Sequence, residues 1–403
     1  MRSYKRFDAR QAGALHREAA PAREGLAAVA GTFFALLQLV TVTAIELRAS
    51  LATTVASVAA ALVRQGYVSA VVIATQAMLS LGLTSFSRDV VISLAQQGYL
   101  AEAGKVCTVA VRRGATATVQ QLSWLLLTAP PPQPESSVFA MVEVPVAFWT
   151  AANAEGWAAW DVAVVMAAPM VRAIDAGYAP RLAYVQRALF SRQLLHLLMW
   201  ILKGVVEWEG RPDAAAVVAW EAIEQGGAEV LIEVSALSVA EGHLVMAAAV
   251  VQALYRLERG KATTEVVTNE DPDFAVEGQD RQHKASVLTQ VAGKAILMGV
   301  HRGHAENVVL LTEILLENGY TDFLNDVTTH LVVSGYSEEM GEVSAAALAA
   351  GKPGVVAHLS AVLANPHEGS DGTQPGVLAA VAGETLKLGA KKLGEAFHSV
   401  MEE

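Results

Sequence analysis

Residues 62–114 read LVRQGYVSAVVIATQAMLSLGLTSFSRDVVISLAQQGYLAEAGKVCTVAVRRG, with glycine at 66, 82, 98 and 114, every sixteenth position. The same interval joins Gly210, Gly226 and Gly242, and again Gly303, Gly319, Gly335 and Gly351. At about 3.6 residues per helical turn, sixteen residues hold a helix of about twelve or thirteen and a turn of about three. Self-similarity at a fixed short period is the mark of a stacked repeat protein.

The positions between the glycines carry the same message. Gly66 is followed by Tyr67, Val71, Ala74 and Met78, and Gly98 by Tyr99, Ala103, Val106 and Ala110. Gly177, Gly319 and Gly335 head the same series, ending in Leu189, Leu331 and Ala347. Apolar residues spaced by four, three and four draw one stripe down an α-helix. A glycine that ends a helix takes the left-handed conformation without a Cβ penalty. Each glycine therefore closes one helix, and the large residue after it staples the start of the next. Helices this short are marginal alone and need neighbours on the stripe. The expected fold is an all-α, right-handed solenoid of short antiparallel helix pairs.

Proline, charge and broken periodicity divide the chain. A basic N-terminal segment and long leading helix occupy 1–49, and repeat blocks 50–129, 138–258 and 287–366. A proline-rich linker is expected at 130–137, an acidic loop at 259–286, and a loop with an amphipathic capping helix at 367–403. Residues 25–45 lack charge for a length that can span a bilayer, so membrane contact through 25–45 or 377–403 stays open beside the core-helix and cap readings. The Arg-rich first 24 residues also leave an organelle leader open, mitochondrial or plastid, for an otherwise intracellular protein.

No phosphate-binding, dinucleotide-binding, nucleophile-elbow, HExxH or CxxC pattern occurs. Neither catalytic residue nor cofactor is expected. His301 and His304 stand three apart with Glu306 nearby, but His304 and His243 directly follow Gly303 and Gly242, where other repeats carry Tyr. They read as staples, and no metal is expected. Cys107, the lone cysteine, reads as a small buried hydrophobe.

Two features bear on binding. All seven tryptophans lie between 124 and 220. They either fill gaps between repeat blocks or form a binding surface, for which Trp149, Trp157, Trp160 and Trp200 are the candidates. Charge is also uneven. Residues 1–129 carry 12 Lys+Arg against 6 Asp+Glu, and the rest 17 against 34. Arg88, Lys105, Arg112 and Arg113 are the cations available to RNA, but a net charge of -11 opposes a phosphate backbone.

Residues 90–114, VVISLAQQGYLAEAGKVCTVAVRRG, resemble a tetratricopeptide or pentatricopeptide unit, and 309–335 do so more loosely. The two-helix unit here is 32 residues, against about 34 for tetratricopeptides. The resemblance implies a helical-repeat fold and a tendency to bind macromolecules, and places no individual contact residue. The favoured reading is a non-catalytic scaffold or accessory subunit that grips protein partners. The alternatives are an RNA-binding repeat protein, and an enzyme or ligand carrier built on the Trp-rich centre.

Overall fold

The computed structural model describes residues 45–128, 134–268 and 286–364. It is all-α, with no strand among the described residues. The chain divides into two compact units at Pro169–Met170.

In the first unit, α1 (Ile45–Arg64), α2 (Val68–Ser80), α3 (Thr84–Gln96), α4 (Leu100–Arg112), α5 (Thr116–Thr128) and α6 (Pro134–Ala154) follow in order, and α7 (Ala159–Asp175) crosses the division. The second unit continues with α8 (Ala179–Ser191) and α9 (Leu195–Lys203), whose last turn is a π turn (Gly204–Trp208). Next come α10 (Pro212–Glu224), α11 (Ala228–Ala240), α12 (Leu244–Thr268) and α13 (Val287–His301). It ends with α14 (Ala305–Glu317), α15 (Thr321–Val333), α16 (Ser337–Ala349) and α17 (Pro353–Ala364).

The period has the anticipated origin. In α4 a helix of 13 residues is followed by a three-residue turn, Arg113, Gly114 and Ala115. At the end of α3 the Gly98 N–H donates to the Ala95 carbonyl at 3.1 Å, and the Tyr99 N–H reaches back to Leu94 at 2.9 Å. That pair of bonds is the Schellman closure, which requires a left-handed residue at its centre. Gly98 has φ +76°, and a Cβ there would meet nothing within 4 Å. The cost of Gly98→Val is therefore confined to its own backbone. We expect a loss of about 1–2 kcal/mol in denaturant unfolding; an unchanged midpoint would contradict the closure.

Each turn reverses the chain, so each helix packs broadly on the next but one. In the first unit α1 packs on α3, α2 on α4, α3 on α5, and α4 on α6. In the second, α8, α10, α12, α14 and α16 form one layer, and α9, α11, α13, α15 and α17 the other. This two-layer stacking is an α-solenoid. The stripe residues face inward: Leu182, Val185 and Leu189 are buried, as are Leu324, Val327, Leu331, Met340, Val343 and Ala347.

The repeat register also places charge. Arg64, two residues before Gly66, bonds Glu102, four after Gly98, at 2.6 Å. His301, two before Gly303, meets Glu339, four after Gly335, at 2.9 Å. A base at one helix's C-terminus and an acid in the first turn of the third helix on thus form the same staple in both units, each placed to suit its helix dipole.

Three boundaries differ from the sequence reading. Residues 134–137 are the first turn of α6 rather than linker, because proline is tolerated where a helix has no N–H bond to lose. The stretch expected as a loop from 259 is helical to Thr268, since Gly260 costs only about 1 kcal/mol inside a helix and no proline intervenes before Pro272. The chain divides inside α7 and not at the ends of three repeat blocks. Residues 1–44, 129–133, 269–285 and 365–403, with the leading segment, the rest of the expected linker and loop, and the expected cap, lie outside the described residues.

Candidate functional site

The corner between α6 and α7 gathers three of the four nominated tryptophans. The turn closes on Gly156, and the Trp157 N–H donates to Ala152 at 3.0 Å. The Trp157 ring meets the buried Phe148 edge-on, with centroids 6.2 Å apart. The Ala158 N–H donates to the Asp161 carboxylate at 2.9 Å, which pins the start of α7. One turn of chain then holds a half-buried Trp157 and an exposed Trp160, 44% accessible, while Trp149 is half-buried on α6. Aromatic rings on a pinned backbone lose little freedom when a partner covers them.

Trp200 lies in the second unit and is engaged differently. Its ring takes the Lys203 ammonium at 4.7 Å and the edge of His243 at 5.0 Å. Lys203 Nζ stands 3.0 Å from His243 Nδ1, so that nitrogen accepts and Nε2 carries the proton. Nε2 is buried and makes no hydrogen bond, lying 3.4 Å from one oxygen of Glu241, whose other oxygen meets His196 Nδ1 at 2.8 Å. A polar chain therefore ties the end of α9 to the turn before α12. His243 does occupy the Tyr position after Gly242, but it works as a hydrogen-bonding ring. The sequence showed no spacing that would join His196 to it.

The π turn beside this network was also not anticipated. Gln193 closes α8 in the conformation glycine takes elsewhere, with φ +60°. From Gln193 to Gly210 is seventeen residues, one more than the period. The extra residue is absorbed by lengthening two bonds: Glu209 N–H reaches back five residues to Gly204, and Arg211 six to Val205, each at 3.0 Å. Trp208 then sits two residues before the glycine, where Arg64 and His301 sit in other repeats, and is 41% exposed.

The nominated RNA-facing cations do not form a free stripe. Arg88 is bonded to Asp89 at 2.8 Å and Arg112 to Glu155 at 2.9 Å, while Lys105 and Arg113 are exposed. His301 is bonded to Glu339, and no group of His, Cys, Asp and Glu among the described residues is arranged to hold a metal. No described helix is long and apolar enough to cross a membrane, and 25–45 and 377–403 lie almost wholly outside the described residues.

Buried ionisable groups mark packing. Burial pushes the Cys107 thiol up to about 12, which makes it unreactive. It lines a cavity of about 50 Å³ between the layers of the first unit, with Val71, Met78, Val90, Leu94 and Leu122. An apolar cavity that takes benzene is about 150 Å³, so this one is a packing void. Burial pulls the Glu102 carboxyl up, but the Arg64 bond outweighs it with other favourable contacts and the net shift is downward.

Glu258 shifts the other way. Half-buried on α12, it is raised by desolvation and by Asp326, against the Ser286 hydroxyl at 3.3 Å. Ser286 caps α13 by accepting the Thr289 N–H. A carboxyl whose folded pKa exceeds its unfolded one favours folding only below the unfolded value, and that support is lost as pH rises through the folded value. Ionised at pH 7, Glu258 costs stability. Glu258→Gln is expected to melt higher than wild type at pH 7, with the gain shrinking towards pH 4. An equal gain at both values would sink the assignment.

No protein-family model matches the chain, and no curated protein matches it. A solved structure described as a "circular tandem repeat protein with novel repeat topology and enhanced subunit contact surfaces" is 13% identical, over 86% of this chain and 75% of that one, with a TM-score of 0.28. At that score the likeness carries no argument. The helical-repeat architecture rests on the stacking itself.

Proposed function

We propose that the protein is a non-catalytic helical-repeat scaffold that binds a protein partner at the α6–α7 corner. The observation that carries this reading is where the tryptophans lie. None of the seven is fully enclosed, although Trp157 packs on Phe148 and Trp220 packs against the second unit's core. The seven are half-buried or exposed, as anchors for a partner are.

The pairing of Arg88 and Arg112 with carboxylates weighs against the RNA reading, since phosphate contacts need free cations. The test is affinity capture of the tagged full chain from its native lysate, wild type against Trp160→Ala. A co-purifying protein should appear in stoichiometric amount, and its affinity should fall by about 2 kcal/mol, roughly 30-fold, with the melting curve unchanged. Capture of RNA alone at about 0.15 M salt, indifferent to Trp160, would overturn the proposal.

A further inference from the structure

The π turn offers a second recognition feature, on a different unit and with a defined chemistry. Glu207 and Trp208 within it, and Glu209 directly after it, are exposed. An indole face attracts a cation through its quadrupole, and the exposed carboxylates that precede and follow Trp208 in the chain add negative charge nearby. Glu209 has no ion-pair partner among the described residues. Glu207 is held loosely by Lys203 at 3.7 Å, whose ammonium is already committed to His243. Residues 170–403 as a whole carry 17 Lys+Arg against 30 Asp+Glu, and Arg211, two residues on, is already paired with Asp175 and Asp213.

The backbone supplies an independent argument. A one-residue insertion breaks the sixteen-residue repeat at this point and forces regular helical bonds into longer ones. A π turn is an ordinary way for a helix to end, so this one matters for what it displays. Here the distortion sets a large aromatic ring at a surface position that other repeats fill with Arg64 or His301. Burial of the ring does not explain it.

We propose that Glu207, Trp208 and Glu209 form a docking point for a cationic side chain, on an Arg/Lys-rich segment of a protein partner. This rests on the scaffold reading but names a site separate from the α6–α7 corner.

The test titrates the full chain with an acetylated, amidated (Gly-Arg)4 peptide by calorimetry at about 0.15 M salt. Wild type should bind in the micromolar range. Trp208→Ala should weaken binding about threefold, Trp208→Phe should retain most of it, and Trp208→Ala with Glu207→Gln and Glu209→Gln should lose tenfold or more. The control, Glu229→Gln with Glu306→Gln, removes two exposed acids elsewhere and should stay within twofold. Should Trp208→Ala fail to fold, Glu207→Gln with Glu209→Gln still separates site from control. No binding by wild type, or equal losses in the Gln pair at the site and in the control, overturns the docking point. If that happens while Trp160-dependent capture persists, this site fails and the scaffold reading stands.

Discussion

Gly104→Val is expected to disrupt the first unit, with a loss of more than about 3 kcal/mol of stability. A Cβ built on Gly104 would stand 2.2 Å from the Ala147 carbonyl oxygen, 2.7 Å from its carbon and 3.1 Å from the Ala151 Cβ. The obstacle is main chain, which cannot swing aside as a long side chain does. To admit even one methyl group, α4 and α6 would have to separate along the broadest helix pairing of the unit. Ala103, Cys107 and Phe148 would lose contacts as the helices part. Close-packed interiors lose a large share of their dispersion energy across gaps of 0.5–1 Å. Gly104→Ala should already cost about 2–3 kcal/mol, because its Cβ meets the same carbonyl and better helix propensity returns only about 1 kcal/mol. Gly354→Ala is the control: it lies on a helix with nothing within 4 Å and should be neutral or slightly stabilising. Thermal unfolding followed by circular dichroism reads all three. A Gly104→Val protein that melts like wild type would refute the close approach.

The glycine cadence and the apolar stripe were legible in the sequence because each depends on residues within one helix and its turn. Gly98 must be left-handed wherever its helix goes, and Leu182, Val185 and Leu189 share a face by periodicity alone. What escaped depends on something else. Gln193 takes a glycine's place with φ +60°, so counting glycines missed the α8 closure and hid the seventeen-residue interval behind it. The approach of Gly104 to Ala147 joins residues 43 positions apart, and nothing local distinguishes Gly104 from a merely tolerated helical glycine. The Lys203–His243 contact spans 40 positions, about two and a half repeats. The different settings of Trp200 and Trp208 were hidden for the same reason. Which ring is covered depends on His243 and on the π turn, and neither can be read from aromatic content.

The sixteen-residue period also concealed that the two layers differ. Four residues after the closing glycine, Phe86, Val230, Phe323 and Val355 are buried on α3, α11, α15 and α17. On α4, α8, α14 and α16 the same position holds Glu102, Arg181, Asn307 and Glu339, none of them in the core. The physical unit is therefore nearer the helix pair than the single helix, with Ala214 and Met246 as buried exceptions in the polar layer and Thr118 on α5 as a half-buried one in the apolar layer.

This asymmetry predicts opposite outcomes at one register. Phe323→Ala is expected to cost about 3–5 kcal/mol, and Glu339→Ala no more than about 1. Phe323 is 2% exposed and packs in the second unit's core with Leu288, Leu324 and Leu331, its ring 5.2 Å from that of Tyr255 on α12. Removing it leaves a void between α12 and α15 that short, tightly stacked helices cannot collapse to fill. Glu339 contributes one ion pair to an exposed His301, and water replaces that bond when it is lost. Denaturant unfolding of both variants gives the comparison, with Phe86→Ala as a parallel case in the first unit. Similar losses for Phe323→Ala and Glu339→Ala would mean that register alone sets a residue's weight, and that the two layers are energetically equivalent.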